Sequence, residues 1–195
     1  RLINKGKYMN NSRILINDLK IFQGINQNII NVLLILFGTL LLTISAKVQV
    51  PFWPVPMTMQ TFVVFLIGST YGVRLSFLTL FAYLIEGALG LPVFAAGGGI
   101  VYLTGPTAGY LFGMTIAAAA ISYFANMGYS TSYIKSFISI MIGSIIIFVC
   151  GVLYLGSIIG YTKAIQAGLL PFIPSEIFKI ALAVLLIPTL HKIIK

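Results

Sequence analysis

Acidic residues are nearly missing from this chain of 195 residues. Asp and Glu together number 3, against 12 Lys and Arg, and charged residues of both signs make up only 8%. A soluble domain carries roughly 25% charged residues. So few charges cannot clothe a water-facing surface, and lipid is the main solvent expected for the fold. Cysteine occurs once, at Cys150, which excludes an internal disulfide. Histidine also occurs once, at His191, so no His/Cys cluster of metal-binding spacing is present. There is no Gly-x-Ser-x-Gly elbow and no other pairing of a nucleophile with a base. An enzyme is therefore not expected. The Gly-x4-Gly-Lys-Ser/Thr string of a phosphate loop is also missing, so the chain is not expected to hydrolyse ATP by itself.

What is present is apolar. Hydrophobic residues make up 59% of the chain, and the mean hydropathy is +1.05. A spanning helix needs about 20 apolar residues, so this length holds roughly five to seven spans and no sizeable soluble domain. The net charge of +9 suggests a nucleic-acid partner, but the charges lie at the ends of apolar runs and not on one soluble face. That placement is how Lys and Arg orient a membrane protein, so membrane lipid is the expected environment and nucleic acid is not a partner.

Residues Arg1 to Asn28 are polar, with Lys5, Lys7, Arg13, Asp18 and Lys20, and contain no apolar core of the signal-peptide kind. They read as a polar cytoplasmic N-terminal segment (1–28), with Met9 as the expected natural start. Residues 29–195 read as one all-α membrane domain of six transmembrane helices. The apolar runs are Ile29–Ala46, Met57–Gly72, Leu75–Leu91, Thr107–Ala125, Phe137–Ile159 and Ser175–Leu190. They are continuously apolar, whereas strands of a barrel would alternate in polarity. With a cytoplasmic N-terminus, nine positive residues, among them Arg74, Lys135, Lys192 and Lys195, fall inside and Lys47 and Lys163 outside. That asymmetry predicts both termini in the cytoplasm of a multi-pass protein of the cell membrane. The Pro-rich segment Val50–Pro56, the Gly-rich segment Pro92–Pro106 and the Pro-flanked segment before Ser175 then share the outer side. Irregular backbone at that depth needs protein or a water-filled cavity around it, and a capped pocket supplies both.

Charge within the apolar runs narrows the candidates. A charged side chain at the centre of a spanning helix costs about 2.5–3.5 kcal/mol on insertion scales. Glu86, Glu176 and Lys179 carry such charge, all at similar expected depth near the outer side. Glu176 and Lys179 are three residues apart and share a helix face. Either they neutralise one another as a structural pair, or Lys179 meets a ligand carboxylate while Glu176 accepts polar hydrogens. Glu86 precedes Gly87 and serves either the ligand or the capping of loop backbone. Thr58 and Gln60 at the expected start of the second helix offer hydrogen bonds or a helix cap. Tyr110, Tyr83 and Trp53 offer rings for stacking or an interfacial aromatic belt. The Gly97-Gly98-Gly99 run offers a flexible loop over the pocket, with Gly98 as its candidate contact. These residues alone predict a six-helix binding protein for a small carboxylate, with the ligand unnamed.

Four segments go further. Val50–Thr61 (VPFWPVPMTMQT), Tyr83–Phe94 (YLIEGALGLPVF), Leu103–Gly113 (LTGPTAGYLFG) and Leu169–Lys179 (LLPFIPSEIFK) resemble, in order, the BioY family. These are the biotin-specific substrate-binding (S) components of energy-coupling-factor (ECF) transporters. The resemblance covers roughly Ile29 to the C-terminus. It implies biotin as transported substrate, with no cofactor, bound near the outer face under the first and third loops. It implies a coupling transmembrane protein and two cytoplasmic ATPases as partners, and release of the vitamin by toppling in the membrane. Lys179 matches the family's Lys in the Pro-Phe-x-Pro-x-Asp-x-x-Lys pattern, which implies contact with the biotin carboxylate. Glu176 stands where that pattern has Asp, and Ala108 where Gly is frequent. Glu86 has no counterpart from which to take a role. Gly38 is followed four residues on by Leu42, an imperfect match to the small-xxx-small docking face of such components. Two neighbouring readings stay open: an S component for another vitamin, and a stand-alone biotin transporter.

Overall fold

The computed structural model describes residues 26–194. Most of the 1–28 polar segment, with its proposed start at Met9, lies outside the described residues. The described residues fold into seven α-helices: α1 (Gln27–Lys47), α2 (Gln60–Thr70), α3 (Val73–Ala88), α4 (Ala108–Asn126), α5 (Tyr133–Ile159), α6 (Tyr161–Gly168) and α7 (Ile173–Ile194). A two-stranded antiparallel ribbon, β1 (Gln49–Val50) with β2 (Met57–Thr58), joins α1 to α2.

Two expectations from the apolar runs are corrected. The second run does not form one long helix: Met57 and Thr58 pair with Val50 and Gln49 in the ribbon, and α2 keeps only 11 residues. At 1.5 Å per residue α2 is about 16 Å long, well short of a hydrocarbon core of about 30 Å. It stands because protein surrounds it, with eight of its residues buried, from Gln60 to Ser69. The segment before the last helix is not a plain loop either. Gly160 (φ 88°) closes α5 and opens α6, whose Lys163 and Gln166 broke the apolar pattern.

Among the described residues, four helical stretches suffice by length and composition to cross a membrane: Gln27–Lys47, Ala108–Asn126, Tyr133–Ile159 and Tyr161–Ile193, the last joining α6 to α7. Their outer faces are apolar. On α1, Ile29, Val32, Leu33, Leu36, Phe37, Leu40 and Ile44 are exposed, while Gly38, Thr39, Leu42, Ser45 and Ala46 are buried. Small and polar residues inward with large apolar ones outward is the pattern lipid selects, because tight contact rather than water exclusion drives helix association there.

α4 forms the axis, packed against α2, α3 and α5. Its Gly109, Gly113 and Ala117 recur every four residues. A Cβ on Gly109 would strike Tyr154 and the Cys150 carbonyl, and one on Gly113 would crowd Cys150 and Ile147. Those glycines let α4 and α5 approach backbone to backbone. At one end of the bundle three irregular segments converge. Lys47 Nζ donates to the Phe94 carbonyl (2.6 Å), Gln49 Nε2 to the Ala95 carbonyl (3.2 Å), Tyr154 Oη to the Thr104 carbonyl (3.0 Å) and Tyr110 Oη to the Gly168 carbonyl (2.8 Å). The ribbon is thereby tied to the 89–107 segment, that segment to α5, and the α5–α7 connection to α4.

Candidate functional site

Beneath this cap lies a cavity with about 490 Å³ of empty space, its open mouth included. As room for water-sized molecules it holds only about 40 Å³, below the roughly 300–1,000 Å³ of pockets that enclose small organic ligands. One wall is aromatic. The Tyr110 and Phe148 rings meet edge-on (centroids 6.2 Å, 86°), Phe148 meets Phe172 (6.2 Å, 67°), and Phe172 meets Phe52 of the ribbon (6.3 Å, 44°). Tyr110 reaches this position across Gly151, where any Cβ would enter its ring.

The polar part of the lining is assembled from α2, α7 and the ribbon, and is bonded to Ser144 of α5. Glu176 and Lys179 occupy the first turns of α7, and their side chains turn inward at 4% and 2% exposure. Lys179 Nζ lies 2.8 Å from Glu176 Oε2. It also donates to Thr61 Oγ1 (2.8 Å) and to the Thr58 carbonyl (3.1 Å). An ammonium has three hydrogens, so each has a partner. Glu176 Oε2 further accepts from Thr61 Oγ1 (3.0 Å), and its Oε1 accepts from Ser144 Oγ on α5 (3.1 Å). A buried ion pair needs such auxiliary bonds, because attraction alone barely offsets the desolvation of both charges. Lys179 and Glu176 are the two charged residues among those lining the cavity, which is therefore electrically neutral as it stands.

A second polar chain leaves the same wall. Thr58 Oγ1 donates to Gln60 Oε1 (3.0 Å), Gln60 Nε2 to Tyr83 Oη (2.8 Å) and Tyr83 Oη to the Val93 carbonyl (2.7 Å). Thr58 links the two chains, its carbonyl facing Lys179 and its hydroxyl facing Gln60. It does so from the β2 strand and not, as the apolar run suggested, from a helix start.

Of the seven residues nominated from sequence, Lys179, Glu176, Tyr110, Thr58 and Gln60 line the cavity. Glu86 and Gly98 do not. Glu86 sits half-buried near the end of α3. Gly98 packs on the Leu91 carbonyl, where a Cβ would collide. Its role in this arrangement is close backbone approach within the cap. Trp53 stands 87% exposed at the ribbon turn, and Tyr83 is buried beside Phe94 (5.3 Å, edge-on) instead of facing the cavity. Sequence reasoning missed Thr61, Ser144, Tyr102 and Phe172. Ser144 had a faint signal, as a polar residue in the middle of the most apolar run.

A helical bundle with outward apolar faces, enclosing one neutral, part-polar cavity under tied loops, defines a membrane-embedded binding protein for a small molecule. The sequence matches the BioY family over residues 17–195. The chain belongs to the BioY family, and it is an integral membrane protein. It is 38% identical over 148 residues to the probable biotin transporter BioY of Pyrococcus horikoshii, covering 75% of this chain and 86% of that one. To the biotin transporter BioY of Thermotoga maritima it is 37% identical over 158 residues, covering 80% and 92%. A solved structure described as the S-component for biotin from an ECF-type ABC transporter superposes with a TM-score of 0.76. At 24% sequence identity it covers 87% of this chain and 95% of that one, and it shares the fold. These relatives carry transporter names, and the family is one of transporters, not enzymes.

Proposed function

We propose that this protein binds biotin with high affinity and takes it up across the cell membrane as the S component of an ECF-type transporter. The observation that carries this reading is Lys179, a buried cation in the wall of a cavity whose other lining residues are uncharged apart from its ion-pair partner Glu176. Biotin brings a carboxylate on a flexible chain and an uncharged ureido ring system. Its carboxylate is the natural partner of Lys179, since a charge-assisted bond is roughly twice as strong as a neutral one. Of the three acceptors that Lys179 now uses, the Thr58 carbonyl is uncharged and at 3.1 Å the farthest, so it yields its place first. Thr61 and Glu176 hold the ammonium in position. The ring system lies against Tyr110, Phe148 and Phe172, with Thr58 and Gln60 within the same wall. Glu86 and Gly98 act outside the cavity in this reading, in α3 and in the cap.

The topology proposed is six crossings with both termini in the cytoplasm. Arg74, Lys135 and Lys192 lie away from the cap and Lys47 and Lys163 at it, which supports a cap facing outward by the positive-inside rule. With no phosphate-binding loop in the chain, ATP-driven uptake falls to partners, a coupling transmembrane protein and two cytoplasmic ATPases. Titration of biotin, dethiobiotin and a biotin amide into the purified protein in detergent tests the reading. Tight binding of biotin with weaker binding of the amide is expected. Failure to bind biotin overturns the reading, and tight binding of a different vitamin reassigns the substrate.

A further inference from the structure

Tyr83 is 1% exposed and outside the cavity, yet its hydroxyl lies between two groups that constrain it fully. The Val93 carbonyl, 2.7 Å away, can only accept a hydrogen bond. The single hydroxyl hydrogen is therefore spent there. The Tyr83 oxygen is left as an acceptor, and of the two ends of the Gln60 amide only the nitrogen can donate to it, at 2.8 Å. Gln60 Oε1 must then face Thr58 Oγ1, which donates across 3.0 Å and itself receives the Gln60 backbone N–H at 3.3 Å. The direction of the chain is thus set at Val93. The two ends of a glutamine amide are nearly the same size, so packing alone does not choose between them.

This orientation fixes what Gln60 has left to offer. Nε2 carries a second hydrogen and Oε1 a second acceptor position, and among the described residues neither makes a further side-chain hydrogen bond. Gln60 belongs to the cavity wall. Its remaining capacity is one donor beside one acceptor, the complement of an uncharged amide or cyclic urea, which presents C=O beside N–H. Val93 is part of the 89–107 segment that caps the cavity. Its neighbour Phe94 packs on Tyr83 and stacks on Tyr102 of the cavity wall (4.9 Å, 24°).

We propose that Tyr83 is a positioning residue for ligand recognition: by giving its hydrogen to the seated cap at Val93, it holds the Gln60 amide in the one orientation that presents its donor–acceptor edge to the uncharged polar head of the ligand. The proposal rests on the biotin reading above, the ureido group being that head.

The test is a double-mutant cycle in the full-length protein, with Tyr83→Phe, Gln60→Ala and both together, titrated with biotin and with a biotin amide. Tyr83→Phe is expected to weaken binding about tenfold, the effect of one hydrogen bond. The fold-loss is equal for acid and amide, because the charged end of the ligand is not involved. In the Gln60→Ala background the same change is expected to add less than twofold, since Tyr83 then has nothing left to orient. Equal losses in both backgrounds, or none in either, overturn the proposal, because packing against Phe94 does not depend on Gln60. Gln60→Glu supplies an independent check if Tyr83→Phe folds poorly. It keeps the length of the side chain but cannot donate to Tyr83, and it is expected to lose as much affinity as Gln60→Ala. Wild-type affinity in Gln60→Glu overturns the proposal. Absence of biotin binding by the wild type overturns the biotin reading and this inference with it, whereas normal wild-type binding with an additive cycle sinks the inference alone.

Discussion

Two glutamates interrupt apolar helices, and their surroundings differ throughout. Glu176 is 4% exposed and meets Lys179 from its own helix, Thr61 from α2 and Ser144 from α5. Glu86 is half-buried near the end of α3, and among the described residues its side chain makes no hydrogen bond or ion pair. Both read alike in the sequence, as charge in an expensive place. The difference lies in convergence. Three separate helices aim polar groups at Glu176, whereas Glu86 stands beside backbone that is already satisfied, its own carbonyl receiving the Leu91 N–H. Intramembrane charge marks a site when other elements have been built around it.

The largest expected effect follows from removing the centre of that convergence. Glu176→Ala leaves Lys179 as a buried, unbalanced cation and is expected to cost about 3–5 kcal/mol of stability. Thermal unfolding in detergent measures it, and Glu176→Ala with Lys179→Ala is expected to recover part of the loss. A single-variant loss below about 1 kcal/mol would show that the network is dispensable, and the contrast with Glu86 would collapse. Next comes Lys179→Ala, which is expected to weaken biotin binding by about 2–4 kcal/mol, roughly thirty- to a thousandfold, and to matter much less for a biotin amide. Equal losses for acid and amide would remove Lys179 from the ligand. The smallest effect belongs to Glu86→Gln, expected to stay within about 0.5 kcal/mol in stability and about twofold in biotin affinity. A tenfold loss of affinity there would place Glu86 in the site and make the two glutamates equivalents.

Much of this architecture was legible because continuous apolar runs leave a helix few alternatives in lipid. α1, α4 and α5 begin and end within a few residues of those runs. The pattern failed where apolar character does not distinguish conformations. Met57 and Thr58 are as compatible with a buried strand as with a helix start, and only their pairing with Val50 and Gln49 decides. α6 escaped notice because eight residues with Lys163 and Gln166 read as a polar loop. At the site, charge made Lys179 and Glu176 visible, and polar side chains at the expected outer start of the second helix drew attention to Thr58 and Gln60. Ser144 was faintly visible and Thr61 not at all, since a lone hydroxyl in an apolar helix more often bonds its own backbone, as Thr70 and Thr79 do here. Their partners come from another helix, and no local pattern records that.

The unequal lengths of α3 and α5 bear on the surrounding lipid. α3, with 16 residues, offers the hydrocarbon an apolar face about 24 Å tall, through Phe77, Phe81 and Ile85. α5, with 27 residues, offers one about 40 Å tall, through Phe137, Ile145 and Leu153. A bilayer of uniform thickness cannot match both faces, and tilt or local thinning takes up the difference at a fraction of a kcal/mol per Å. The tilt that best accommodates both faces is thus expected to change with acyl-chain length. The cavity, lined in part by α5, would turn with it.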